Sequence, residues 1–317
     1  MLDVAQLVVG LAALALGADV LVRGAVALAR LLNVPPLIVG LTIVSFGTSA
    51  PELVVSLQAA LKGAGGIAIG NVVGSNIANI LLVLGLPSVI RATTCEVRGC
   101  RRNMLFMLAV TLVFIWTAWD GLLSRLDGGL LLALFALFVA VQAAGTLRAR
   151  RDGPAPEPKE TGRPPMAAWP AALMTVGGLL SLPFAADAAV DGALGLADRL
   201  GVSETAVGVT IVALGTSLPE LAATTAAAIR GHSAVAVGNV LGSNIFNIVA
   251  ILGITASIVA VRVPMEFFHL GMWAMLASAL LVVPFVLMSW PIGRLAGALM
   301  AAAYLGVMAA FLAGPGA

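Results

Sequence analysis

The chain has 317 residues, 61% of them hydrophobic and only 10% charged, with a net charge of +2 and a mean hydropathy of +1.08. A soluble domain of this size does not have such a composition, and apolar runs of about 20 residues each read as membrane-spanning helices. The absence of strand-like alternation speaks against a membrane β-barrel, and the small net charge, carried in loops, gives no sign of nucleic-acid binding.

Ten apolar spans follow in chain order, at about residues 4–30, 36–60, 66–90, 103–119, 127–148, 169–199, 204–229, 235–260, 267–289 and 292–313. The expected fold class is an all-α polytopic membrane protein with ten transmembrane helices in two inverted five-helix repeats. The first repeat covers 1–148, a cytoplasmic linker 149–166, and the second repeat 167–317. An odd number of spans per repeat makes the second half enter the membrane from the opposite side. The first and sixth spans exceed the ~20 residues needed to cross and should tilt strongly. The linker carries Pro154, Pro156, Pro158, Pro164 and Pro165 among charges, a composition that cannot form a core, and it is too short to fold alone. No basic n-region or cleavage site opens the chain, so the first helix should be retained. With the N-terminus outside, twelve Lys and Arg fall on the cytoplasmic side and four outside, so both termini are expected outside. Trp116, Trp119, Trp169 and Trp290 lie near span ends, as interface anchors do. Cys95 and Cys100 share one Arg-rich cytoplasmic loop and read as free thiols, a four-residue gap without further ligands being a weak metal signal.

The second span contains Gly47-Thr48-Ser49-Ala50-Pro51-Glu52, and the seventh contains Gly215-Thr216-Ser217-Leu218-Pro219-Glu220. Each sets a carboxylate, hydroxyls and a helix-breaking proline at membrane depth, and a carboxylate there is costly enough to mark a functional site. The repeat runs without a gap from Val34–Ile90 onto Val202–Ile258 at an offset of 168, with 28 identities in 57 positions. Its polar, Gly and Pro positions match best, whereas a merely structural duplication would keep the apolar ones.

Ser45, Thr48 and Glu52 are three and four apart and share one helix face, with Ser49 beside them. Pro51 removes a backbone N–H and clashes with the carbonyl of Gly47, so carbonyls near Ser45 to Thr48 are free for another partner. Unwound backbone of this kind is tolerated in a membrane only beside a cavity or buried in protein. Asn71, Ser75 and Asn79 form a second polar stripe on the third span, where Gly70 and Gly74 offer a flat packing surface. Thr216, Ser217, Glu220, Asn239, Ser243 and Asn247 repeat the arrangement. The inventory is two carboxylates, hydroxyls, amide oxygens and carbonyls without His or Cys, a ligand set for hard cations. Calcium takes six to eight such oxygens in flexible geometry, and sodium accepts the same donors. Asn and Ser on single membrane helices are often only interhelical glue, but four polar stripes with two Glu and two Pro exceed that role. Asp19 and Arg23 on the first span, and Asp187 and Asp191 on the sixth, are either gate residues facing water or packing and interfacial groups.

The paired Gly-Thr-Ser-x-Pro-Glu and Gly-Ser-Asn-Ile-x-Asn segments resemble the α-repeats of the calcium/cation antiporter superfamily, most closely its prokaryotic sodium/calcium exchanger branch. The resemblance covers the whole ten-span plan. It implies that the second, third, seventh and eighth helices surround a cluster of cation sites while the first and sixth slide as a gate. It implies Glu52 and Glu220 as central calcium ligands shared with sodium, and backbone carbonyls from Thr48 and Thr216. Ser49, Ser75, Ser217 and Ser243 would bind flanking sodium ions with the carbonyls of Ser45 and Ala213, and Asn79 and Asn247 would complete the centre. Some exchangers carry Asp where this chain has Asn247, so it has one ionisable group fewer there. The function implied is secondary antiport of sodium against calcium in the inner membrane of a prokaryotic cell. The ions are substrates, with no cofactor, and the partners are those ions and lipid, with no obligate protein partner. Calcium/proton or potassium-dependent antiport, and a cation channel, are the alternatives. No activated nucleophile, His base or nucleotide-binding motif points to an enzyme or an ATP-driven pump.

Overall fold

The computed structural model describes residues 2–31, 49–94, 99–151, 167–229, 231 and 233–313. The helices among them are α1 (Leu2–Leu31), α2 (Ala50–Leu61), α3 (Gly65–Ile90), α4 (Cys100–Thr117), α5 (Arg125–Arg151), α6 (Ala168–Leu200), α7 (Glu204–Thr216), α8 (Leu218–Ile229), α9 (233–258), α10 (Phe267–Leu287) and α11 (Arg294–Ala313). Among the described residues, eight of these are long and apolar enough to cross a membrane, and the pair α7–α8, bent by 43°, makes a ninth. The expected second span is represented by α2; its earlier part, to residue 48, lies outside the described residues.

Proline places the breaks. Pro51 sits in the first turn of α2, where its missing N–H costs nothing, and Pro219 does the same for α8. The residues just before, Ser49 (φ −94°, ψ 9°) and Ser217 (φ −85°, ψ 3°), both adopt the bridge conformation between helical and extended. The two serines therefore share one backbone conformation, and at Ser217 it accompanies the bend between α7 and α8. Wider π-helical turns begin at Asn79 in α3 and at Asn247 in α9, again at the offset of 168.

Burial separates the centre from the lipid face. Within α3, 94% of the spanning window is buried, against 11% for α5, whose Leu126, Leu130 and Leu137 face outward. Gly70 and Gly74 let α3 lie against α7: a Cβ on Gly74 would stand 2.4 Å from the Val209 carbonyl oxygen. The flat surface expected of these glycines is thus used. The two longest helices, α1 and α6, pack antiparallel, backbone to backbone. Gly10, Gly17 and Gly24 recur every seven residues on α1 and meet Ala189, Leu182 and Thr175 in turn. Asp3 and Arg199 pair at one end of this couple.

The halves also exchange contacts. Gly85 of α3 packs on Met300 of α11, and Gly253 of α9 packs on Leu132 of α5. Each pair maps onto the other by the offset of 168, since 85 and 132 become 253 and 300. Two short strands, β1 (Leu122–Leu123) and β2 (Val261–Arg262), pair antiparallel, and Thr93 pairs with Ile292 in an isolated bridge. These pieces tie loops together at the ends of the bundle and were not expected from a pattern without alternation. The free thiols expected at Cys95 and Cys100 need correction. Cys100 is disulfide-bonded, and Cys95 lies outside the described residues. Spacing without further ligands bears on metal binding, not on the oxidation state of a thiol. Trp116, Trp119, Trp169 and Trp290 are all exposed, as anchors in an interface would be.

Candidate functional site

The two copies of the Gly-Thr-Ser-x-Pro-Glu segment meet at the centre of the bundle. Glu52 and Glu220 stand in the first turns of α2 and α8 and are each 1% exposed. Ser49 Oγ donates to Glu220 Oε1 over 3.2 Å, and Ser217 Oγ donates to Glu52 Oε1 over 3.3 Å. Each serine therefore reaches across to the carboxylate of the other half. A hydroxyl that donates its one proton keeps both lone pairs, so each serine oxygen retains the capacity to bind a cation beside the carboxylate.

The surrounding polar groups fall into two sets. One holds the broken backbone in place. Asn71 of α3 donates to the Glu52 carbonyl at 3.0 Å and to Ser56 Oγ at 2.9 Å, and its Oδ1 accepts from Thr216 Oγ1 at 3.0 Å. In the other half, Asn239 Nδ2 donates to Thr224 Oγ1 at 3.0 Å, the counterpart of the bond to Ser56. The other set is buried without hydrogen-bond partners: Glu52 Oε2, Ser75 Oγ, Asn79 Oδ1 and Asn247 Oδ1. A buried polar atom left unpaired costs about 1–3 kcal/mol, so several together demand an explanation, and an oxygen-seeking cation is a chemically sufficient one.

Ser49, Ser217, Ser75, Ser243, Asn79, Asn247, Thr216, Ala213, Glu52 and Glu220 are all buried. Ser45 and Thr48 lie outside the described residues. The Ala213 carbonyl is already engaged, accepting from Ser217 N at 3.1 Å and Thr216 Oγ1 at 3.2 Å. The single Thr216 proton also reaches Asn71 Oδ1 at 3.0 Å, and when it is given there the Ala213 carbonyl keeps a lone pair that can face a cation.

Sequence reasoning passed over Asn76 and Asn244. They belong to the repeated Gly-Ser-Asn-Ile segment, but stepping by fours from Asn71 through Ser75 to Asn79 leaves them off the face. The structure buries both. Asn247 Nδ2 donates to Asn76 Oδ1 at 3.4 Å, and Asn244 Nδ2 donates to the Asn76 carbonyl at 3.3 Å. The signal that could have found them was their identity in both copies of the repeat.

Of the charged residues on the long helices, Asp19 pairs with Arg23 along α1 at 2.9 Å. Asp187 and Asp191 of α6 both pair with Lys62, which follows α2, and Asp187 accepts from Gln58.

Helices of membrane length, one of them broken before Pro219, around a buried pair of carboxylates define a polytopic membrane protein with a polar, charged centre. The family model described as sodium/calcium exchanger protein matches residues 2–144 and 170–313, and the chain belongs to that family. The chain is 41% identical to the inner membrane protein YrbG of Escherichia coli, over 81% of this chain and 80% of that one. It is 38% identical to the putative antiporter CaxA of Alkalimonas amylolytica, over 90% and 89%. Among solved structures, the sodium-calcium exchanger NCX_Mj matches with a TM-score of 0.65 at 32% identity, over 97% of this chain and 98% of that chain.

Proposed function

We propose that this chain is a secondary antiporter that exchanges sodium for calcium across a prokaryotic inner membrane by alternating access. Family membership supplies the class; the reciprocal Ser49–Glu220 and Ser217–Glu52 bonds carry the argument for the site. Two carboxylates from opposite halves carry two negative charges, which one calcium or two sodium ions neutralise, so the ions compete for one place. In this reading Glu52 and Glu220 are the central ligands. Ser49, Ser75, Ser217 and Ser243 bind flanking sodium, with the carbonyls of Ser45, Thr48, Ala213 and Thr216, and Asn79 and Asn247 complete the shell.

The finer architecture belongs to the same reading: ten helices in two inverted repeats, with both termini outside. The reciprocal packing of Gly85 on Met300 and Gly253 on Leu132 supports it, because equivalent contacts allow each half to take up the other's conformation. Calcium and sodium are substrates; the reading needs no cofactor and no protein partner.

The test is radiolabelled calcium uptake into proteoliposomes. Calcium should accumulate against its gradient when sodium is loaded inside, and the flux should stop when the sodium gradient is collapsed. Uptake driven by a pH gradient and indifferent to sodium would move the reading to calcium/proton exchange. An absolute requirement for potassium would move it to potassium-dependent exchange. Uncoupled currents of channel size would overturn it.

A further inference from the structure

Around Asn76 the two repeats meet asymmetrically. Asn247 Nδ2 donates to Asn76 Oδ1 at 3.4 Å, which leaves Asn247 Oδ1 buried without a partner. By the offset of 168, the equivalent bond would run from Asn79 Nδ2 to Asn244 Oδ1. That bond is absent, and both of its atoms are buried without partners. Asn76 and Asn244 each lie against a methionine, and Asn244 Nδ2 also donates to the Asn76 carbonyl at 3.3 Å. Asn76 Nδ2 lies 3.8 Å from Met275 Sδ on α10, and Asn244 Nδ2 lies 3.7 Å from Met107 Sδ on α4, a second pair related by 168. A thioether is a weak acceptor, so it orients an amide without fixing it. The result is two amides that differ at their oxygens: Asn76 Oδ1 is engaged by the opposite half's Asn247, whereas Asn244 Oδ1 is open.

We infer that Asn76 and Asn244 are positioning residues for the cation ligands Asn247 and Asn79, each holding the ligand of the opposite repeat, with one bond closed in each conformation of the cycle. The inference rests on the antiporter reading, in which Asn79 and Asn247 face the ion. An amide whose N–H₂ is tied down by a neighbour must present its oxygen to the site, and groups that orient a ligand commonly matter to metal affinity about 10-fold to 100-fold. Asn76 and Asn244 touch no ion themselves. Opening of the closed bond, as the other closes, would turn Asn247 away from the ion at the moment the ion must leave.

The test uses full-length chain in proteoliposomes, with half-saturating calcium for sodium-driven uptake as the readout. Asn76→Leu should raise that concentration about tenfold. It should add almost nothing on the background of Asn247→Ala, because the residue it positions is already gone. Asn244→Leu should behave the same way with Asn79→Ala. Asn76→Ala and Asn244→Ala, which leave space in place of a branched side chain, serve if the leucine variants do not yield monodisperse protein in detergent. Unchanged calcium dependence in the single variants, or full additivity with the ligand variants, overturns the inference. Coupling in the first pair together with additivity in the second overturns the alternation. Failure of the wild-type protein to couple calcium to sodium is a separate result, which overturns the antiporter reading instead.

Discussion

In the proposed site Glu52 and Glu220 should matter most, because among the described residues they are the only charged side chains that are fully buried. Glu52→Gln and Glu220→Gln keep the side-chain shape and remove one negative charge each. Either should abolish calcium exchange while the protein still elutes as a folded species, and near-normal flux in either variant would remove the carboxylates from the centre. Thr48→Ala should cost much less, since its expected contribution is a backbone carbonyl that any residue supplies. Asn247 is a neutral ligand in this account. Asn247→Asp would place a third carboxylate beside two others, leaving an uncompensated negative charge with calcium bound and inviting a proton. Exchange should survive but become more pH-dependent between about pH 5 and 8. Initial calcium flux against pH, at fixed sodium, compares the two proteins; superimposable profiles would show that position 247 does not sense the central charge.

Among the elements, the couple α1–α6 stands out for its glycine stripe. A Cβ on Gly192 would lie 2.4 Å from the Leu7 backbone nitrogen, and two backbones cannot yield as a flexible side chain can. Gly192→Val should therefore destabilise the protein by about 1–3 kcal/mol, read as a drop in melting temperature in detergent. The polar tie between this couple and the rest is weaker. Burial would lower the Lys62 ammonium, but its hydrogen bonds and charge contacts with Asp187 and Asp191 outweigh that and hold it above its ordinary value of 10.5. A raised pKa means stability that is fully present below the unfolded value and fades as pH rises through the folded one, so on the alkaline side the pairs persist past neutral pH and weaken above about 10.5. Because these groups are partly exposed, Lys62→Gln should cost no more than about 1 kcal/mol of stability at pH 7.

For the whole molecule, the halves depend on each other at the centre and at the periphery. Glu52 takes its serine from the second half and Glu220 from the first, while α3 packs on α11 and α9 on α5. A chain divided within the linker, between residues 158 and 159, should regain calcium exchange when both pieces are co-expressed, and tagged first half should retain the second in purification. Either piece alone should give no flux. Exchange by a single half would contradict a centre built from both.

The helices were legible from the residues alone because in a bilayer every backbone group must be satisfied within its own segment, so long apolar runs admit one conformation. Equally legible were the break before Pro219 and the buried carboxylates at Glu52 and Glu220, since a proline and a charge in an apolar run cannot be neutral events. The pairing of these residues was not legible. Which serine meets which glutamate depends on two segments 168 positions apart, and a local pattern carries no distance between them. The same holds for Asn76 and Asn244, which a helical stripe leaves off the polar face and whose contacts with Asn247 and with methionines of α10 and α4 join segments far apart in the chain. The backbone's hydrogen-bonding demand is local and is written in composition. The meeting of side chains across the bundle is decided by packing of whole helices, at glycines whose partners lie in other segments, and only the folded chain displays it.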